Sequence, residues 1–181
     1  MSNSLTSVLV GALAVSLTSS VYAATSKADY QSDIAKAEVE YKAASARCKS
    51  LAGNAKDVCV AEAKAEQTKA KAYAEARHKG TDKAQQDARI AAAEADHDVA
   101  KARCGAKAGN DKDVCLKEAN AALTSAKVDA KATRQIKDIR KEAAEDKRDA
   151  EYKVALERCD AMAGAAKDAC RAEAKSRFGK S

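Results

Sequence analysis

Three evenly spaced cysteine pairs constrain this chain more than any other feature of its sequence. Ten residues separate the members of each pair, which are Cys48 and Cys59, Cys104 and Cys115, and Cys159 and Cys170. Corresponding cysteines recur after 56 and then 55 positions, and the segments around them share the pattern R-C-x3-A-G-x2-K-D-x-C-x2-E-A. So many identities at fixed offsets indicate an internal repeat, in which every copy adopts the same local fold.

The composition around the cysteines favours α-helix. The sequence is rich in Ala, Lys, Glu and Arg, and it contains no Pro and only seven Gly. These abundant residues are the strongest helix formers, whereas Gly and Pro are the residues that interrupt helices. Apolar residues before the first cysteine follow a coiled-coil-like spacing of three and four, as at Ile34, Ala37, Tyr41 and Ala44. Because Ala buries little apolar area, we expect a thin core that needs further support.

Geometry predicts how the cysteines pair. Eleven positions along a straight helix span about 16 Å, whereas a disulfide requires Cα atoms within about 7 Å of each other. The chain must therefore turn back between the two cysteines. We expect Gly53, Gly109 and Gly164 to end one helix in the left-handed conformation, with Asn54 and Asn110 capping the next. This geometry predicts the bonds Cys48–Cys59, Cys104–Cys115 and Cys159–Cys170, each worth roughly 3 kcal/mol.

The predicted fold is all-α, with three tandem disulfide-stapled antiparallel helical hairpins in an elongated bundle or coiled-coil-like arrangement. The hairpins occupy residues 24–80, 81–135 and 136–181, the third being shortened. His78-Lys79-Gly80-Thr81 predicts a helix stop followed by an N-cap between the first two. About six helices are expected. Because no such signal occurs between Cys115 and Cys159, the sequence leaves open whether the fourth and fifth are continuous.

The segment 1–23 differs in character from everything that follows it. It contains no charged side chain, includes an apolar run at residues 5–17, and ends in Ser20-Val21-Tyr22-Ala23. This layout is typical of a secretory signal peptide cleaved between Ala23 and Ala24. The apolar run is shorter than the ~20 residues of a transmembrane helix, so we expect no transmembrane segment in the mature form. The sequence predicts a periplasmic or secreted protein, in keeping with disulfides persisting in oxidising compartments.

Catalytic residues do not form a recognisable set. The only histidines are His78, expected as a cation at a helix C-terminus, and His97, expected on a packing stripe. No phosphate-binding loop, zinc-binding helix or serine elbow is present. The sequence therefore predicts a protein that is not an enzyme and holds no cofactor or metal. A thiol redox or metal-binding use of the cysteines remains the alternative.

Charged residues recur at the same place in each repeat. We expect an arginine and a glutamate to form a structural ion pair across each hairpin beside its disulfide, and a binding role for them is the alternative. The expected pairs are Arg47–Glu62, Arg103–Glu118 and Arg158–Glu173. The net charge is +6, spread along the chain, which favours weak attraction to anionic envelope surfaces over sequence-specific nucleic-acid binding.

The segment CKSLAGNAKDVCVAEAKA, which begins at Cys48, carries a family resemblance. It resembles a group of poorly characterised proteobacterial periplasmic proteins rich in Ala, Lys and paired Cys, sometimes labelled TolA-like. The resemblance extends over nearly all of the chain from Ala24 onward, and its specific part is the cysteine hairpin. It implies a helical periplasmic protein, and it assigns no activity to any residue.

These features together predict a non-catalytic structural or interaction protein of the cell envelope. Its partner would be an envelope protein or an anionic envelope surface, and self-association is left open. The alternative function is a thiol-based envelope stress or metal-handling protein.

Overall fold

The computed structural model describes residues 24–180, so the predicted signal peptide at residues 1–23 lies outside the described residues. All regular structure within 24–180 is helical, which confirms the all-α fold class. These described residues form five α-helices, and a single 3₁₀ turn at Cys48–Ser50 follows the first. Their bounds are Lys27–Arg47 for α1, Gly53–Lys79 for α2, Asp82–Cys104 for α3, Gly109–Asp160 for α4 and Gly164–Phe178 for α5.

The connection between α2 and α3 follows the predicted stop and start signals. Gly80 caps α2 in the left-handed conformation, with φ at 62°, which glycine adopts without a Cβ penalty. The Thr81 hydroxyl oxygen then accepts a hydrogen bond of 3.1 Å from the backbone N–H of Ala84. The prediction of a turn at Gly80 with Thr81 as the N-cap is confirmed.

The turns at the cysteines differ from the prediction. Gly53, Gly109 and Gly164 do have positive φ, between 53° and 56°, but each begins the second helix instead of ending the first. An extended alanine precedes each of them, such as Ala52 at φ −131° and ψ 163°. A left-handed residue at this point lets the chain turn from the extended alanine directly into the next helix. Asn54 is consequently not an N-cap, and its amide instead donates to the Ala102 carbonyl at 2.7 Å.

Over residues 24–180 there are five helices where about six were expected, because the fourth and fifth expected helices are one continuous helix. α4 contains 52 residues and is therefore about 78 Å long. Aligning Cys59 with Cys115 matches the first repeat to the second and places Ile136 at the position of Gly80. The second repeat therefore lacks the glycine that forms the turn in the first. α4 continues through Thr133. The Thr133 hydroxyl donates a hydrogen bond to the Asp129 carbonyl of the same helix. Without a cap or a glycine, the strong helix formers continue the helix.

Among residues 24–180, each helix packs only against its neighbours in the chain: α1 with α2, α2 with α3, α3 with α4, and α4 with α5. Helices joined by a disulfide run in opposite directions, because ion pairs also join their ends far from the disulfide. These ion pairs are Asp33–Arg77, Asp82–Lys137 and Asp149–Lys180. The helices therefore form an open array and not a closed bundle. In the part of the chain that the structure describes, the buried hydrophobic residues are all alanines apart from Val99 and three cysteines. The core there is thin, as expected.

α3 and α5 lie on the same side of α4. Ala119 and Ala130 are the buried residues of its first half, and Cys159 is the buried residue of its second half. The spacing from Ala119 to Ala130 is about three helical turns, and the spacing from Ala130 to Cys159 is about eight, so all three residues share one face. Residues 135–148 between the two contacts are all exposed. The last cysteine pair is thus held away from the first two by a stretch of solvent-exposed helix.

Candidate interaction surfaces

The three disulfides close the cysteine ends of three antiparallel helix pairs. We call them helix pair 1 (α1 and α2), helix pair 2 (α3 and the first half of α4) and helix pair 3 (the second half of α4 and α5). The Cα atoms of the bonded cysteines are 5.6, 5.7 and 5.6 Å apart, within the usual range for a disulfide. Cys48, Cys104 and Cys159 are buried. None of the cysteines within residues 24–180 is free.

The predicted ion pairs across each helix pair are wrong. Arg103 does not bond to Glu118 but to Glu62 of the preceding repeat, at 2.7 Å. Arg47–Glu62 and Arg158–Glu173 are likewise absent from the ion pairs of residues 24–180. The physical reason is that α2 and α3 lie side by side, so Arg103 reaches the carboxylate on the neighbouring helix. The sequence repeat identified the charged positions but could not show which helices are neighbours.

At helix pair 1, Arg47 and Glu62 do not bond to each other, but both line a common groove. This groove of about 410 Å³ runs between α1 and α2 and also includes Tyr41, Glu40 and Glu66. A second groove of about 530 Å³ between α2 and α3 is lined by Val60 and by charged residues of both signs. Both grooves lie on the surface of the helix array. No set of three or more His, Cys, Asp or Glu side chains within residues 24–180 is arranged to hold a metal ion.

His78 has a structural role that sequence reasoning missed. Its ring stacks on Tyr30 with centroids 5.0 Å apart, and its Nδ1 lies 2.9 Å from the Thr25 carbonyl oxygen. Because a carbonyl oxygen only accepts, Nδ1 must donate this hydrogen bond. The N–H of Thr25 in turn donates to the Arg77 carbonyl at 3.2 Å. These contacts fasten the segment before α1 to the end of α2, and no local sequence pattern marks them.

His97 lies elsewhere. Its Nε2 is 2.9 Å from the Asn120 amide oxygen, which joins α3 to α4. The two histidines therefore have separate structural partners. Each of the two ring hydrogen bonds goes to a carbonyl or amide oxygen and not to a nucleophile or a carboxylate.

Ion pairs within and between the helices perturb some pKa values. Hydrogen bonds from Lys167 and Arg171 lower the pKa of Asp160 beside the third disulfide. Hydrogen bonds to Asp96 and Glu66 raise the pKa of Lys69 between α2 and α3. In both cases the charged form is favoured. Such shifts belong to structural ion pairs, whereas a catalytic acid or base needs a pKa moved toward the working pH.

Exposed apolar side chains are concentrated on α4. Val128, Ile136, Ile139 and Val154 of this helix are 58%, 50%, 63% and 53% exposed. Ile139 lies about two and a half helical turns beyond the buried Ala130. It therefore lies on the side of α4 opposite α3 and α5. We call this side, defined by Val128, Ile136, Ile139 and Val154, the outer face of α4.

Comparisons with protein-family models, with curated proteins and with solved structures find no match. Across residues 24–180, none of the helices combines the length and the hydropathy needed to cross a lipid bilayer. A functional proposal therefore depends on the surface of the molecule, namely the open helix array and the apolar outer face of α4.

Proposed function

We propose that this chain is an exported, non-catalytic structural or interaction protein of the cell envelope. In this proposal the three helix pairs are stapled hairpins that form a stiff, coiled-coil-like scaffold. The observation that carries it is that each helix in residues 24–180 contacts only its chain neighbours. An array of this kind leaves broad helical faces exposed, and large exposed faces with apolar residues are typical of binding surfaces.

The disulfides support the proposed location. Three disulfides in one small chain are characteristic of oxidising compartments. Export by the signal peptide proposed for residues 1–23 predicts that N-terminal sequencing of the exported protein starts at Ala24. A protein that keeps residues 1–23 and remains in the cytoplasm would contradict the proposed location.

Photocrosslinking in the envelope tests the interaction role. A photoreactive residue at Val60, which lines the groove between α2 and α3, should give discrete adducts with an envelope protein. The control carries the same residue at Lys49, which is exposed and lies outside both grooves. Adducts at Val60 alone support the role, and an absence of adducts at Val60 contradicts a protein partner in this groove.

An anionic surface is the other proposed partner. The net charge of +6 predicts binding to vesicles of anionic phospholipid but not to vesicles of neutral phospholipid. Binding should weaken as salt is raised, because exposed charges are screened within about 10 Å at 0.1 M salt. Equal binding to both kinds of vesicle would contradict this partner.

The alternative function, thiol-based stress protection or metal handling, depends on the redox state of the cysteines. A disulfide sulfur is not the thiolate that binds metals or attacks disulfides, and all six cysteines are bonded. We expect almost no free thiol when the exported protein is denatured without reductant. Several free thiols that bind copper or zinc would favour the alternative.

A further inference from the structure

α4 corresponds to α2, the turn at Gly80 and α3 joined into one straight helix. Aligning Cys59 with Cys115 matches α2 to the first half of α4. Aligning Cys104 with Cys159 matches α3 to its second half. The turn residue Gly80 thereby corresponds to Ile136. α2 and α3 fold back on each other at Gly80, whereas the matching residues of α4 form one extended helix.

The contact between α2 and α3 consists of small apolar residues and two ion pairs, one of which joins Lys69 to Asp96 at 2.6 Å. Ala65 packs with Ala95 and Val99. Nearer the turn, the buried cluster consists of Ala76, Ala84 and Ala88. At the other end Arg103 donates to Glu62.

The matching residues of α4 form its outer face. The first half presents Ala121, Val128 and Ala132 in place of Ala65, Ala72 and Ala76. The second half presents Ile139, Ala143, Ala150 and Val154 in place of Ala84, Ala88, Ala95 and Val99. The larger of these side chains are at least half exposed. α4 thus carries the counterparts of both surfaces that pack together between α2 and α3. On α4 these surfaces are not covered by another helix of residues 24–180.

A straight helix cannot bring its own two halves together. We propose that two copies of this chain pair through the outer faces of α4 in antiparallel orientation, so that the first half of each α4 packs on the second half of the other. The two-fold axis passes near residues 136–139 and places Ile136 and Ile139 of both copies at the centre. α3 and α5 do not interfere, because they occupy the opposite side of α4. The dimer continues the single array of helices through two copies.

Unpaired charges support this partner. Glu118 and Arg158 match Glu62 and Arg103, and neither has an ion-pair partner within residues 24–180. In the dimer, Glu118 of one copy meets Arg158 of the other, and the symmetry forms this pair twice. Complementary charges of this kind fix the register of an interface.

Four positions do not follow the internal contact. Lys117 replaces Ala61, which packs against Ala65, and Ser125 replaces Lys69, which pairs with Asp96. Asp146 replaces Ala91, and Asp160 replaces Gly105, against which the Asn54 amide packs. The proposed contact therefore depends on Val128, Ile136, Ile139 and Val154, which are larger than most of their α2 and α3 counterparts. The inference rests on the proposed interaction function. It names a second copy of this chain as the partner of the outer face of α4.

Sedimentation velocity of the disulfide-intact chain from Ala24 onward, over a range of concentrations, tests the dimer. We expect a reversible monomer–dimer equilibrium. Replacing Ile136→Glu together with Ile139→Glu should raise the dimer Kd by at least roughly tenfold, since charges would be buried at the centre of the contact. Because both residues are exposed in the monomer, helicity and melting should change little. Val39→Glu on α1, also exposed at 65%, is the control and should leave Kd unchanged.

A charge exchange tests the register. Glu118→Arg alone and Arg158→Glu alone should each raise Kd about tenfold, and the two changes together should restore dimerisation. A chain that stays monomeric at every concentration overturns the inference, as does a dimer that none of these substitutions affects. The proposed function is tested separately, because a monomeric Ile136→Glu, Ile139→Glu variant should still give envelope adducts at Val60.

Discussion

Arg103 illustrates what happens at the scale of single residues. Its repetition at Arg47 and Arg158 is visible in the sequence, and an ion-pair role was predictable. Its partner was not, because Glu62 and Glu118 are both candidates and only the packing of α2 on α3 selects Glu62. Local patterns such as the Thr81 N-cap were predictable, since the bonded atoms are three residues apart.

Asp160 should make stability depend on pH. Lys167 and Arg171 hold its pKa in the folded protein below the unfolded value, so its contribution is present above the unfolded pKa and is lost as the pH falls through the folded pKa. Asp160→Asn should lower the melting temperature at pH 7, and the difference should close below about pH 4. Thermal melts from pH 7 to pH 2 measure it. Glu157 has no ion pair within residues 24–180, so Glu157→Gln is the control, and its difference in melting temperature from the unaltered protein should not close in this way. The same pH dependence in both variants would contradict the role of Asp160.

His78 should stabilise the start of the folded chain. His78→Ala removes the ring stacking on Tyr30 and the hydrogen bond to Thr25, so we expect a loss of about 1 to 2 kcal/mol in the free energy of unfolding. His78→Phe retains an aromatic ring and should lose less. Hydrogen exchange of the Thr25 amide, which donates to Arg77, should accelerate in His78→Ala. Unchanged exchange would show that His78 does not hold this segment.

At the scale of helices, the cysteine pairs organise the fold. The ten-residue spacing predicted the pairing because a straight helix holds the two cysteines too far apart. The exact turn was mispredicted, since both a glycine ending one helix and a glycine starting the next satisfy the same spacing. The continuity of α4 was left open by the sequence, and the replacement of Gly80 by Ile136 accounts for it.

Removing one disulfide should weaken the molecule without unfolding it at low temperature. Replacing Cys104→Ser together with Cys115→Ser should lower the free energy of unfolding by roughly 3 kcal/mol. Far-UV circular dichroism at low temperature should retain most of the helicity, because the helices have high intrinsic propensity. The melting curve measures the loss. A melting temperature equal to that of the unaltered protein would contradict the importance of this bond.

The continuity of α4 predicts a distance. Spin labels attached through unnatural amino acids at Asp129 and Lys153, both exposed, should lie about 36 Å apart along a continuous helix. Pulsed electron spin resonance measures this separation without disturbing the cysteines. A turn near Ile136 would bring the labels much closer, and a short distance would contradict the single helix.

For the whole molecule, the thin alanine core and the open array both mean that packing between helices contributes little stability. Each contact between helices buries little apolar area, so the turns and disulfides carry much of the organisation. The array leaves long helical faces exposed within residues 24–180. The order of helices was predictable from the repeat. The outer face of α4 was not, because its exposure follows from a helix that the sequence did not fix as continuous.

Disulfide mapping tests the central claim most directly, namely that three local disulfides define three helix pairs. The exported protein is digested with trypsin without reduction, and linked peptides are identified by mass spectrometry. The fold predicts that residues 48–49 are linked to 57–64, residues 104–107 to 113–117, and residues 159–167 to 168–171. A bond that joins cysteines of different repeats, such as Cys48 with Cys115, or a set of free cysteines, would contradict the account.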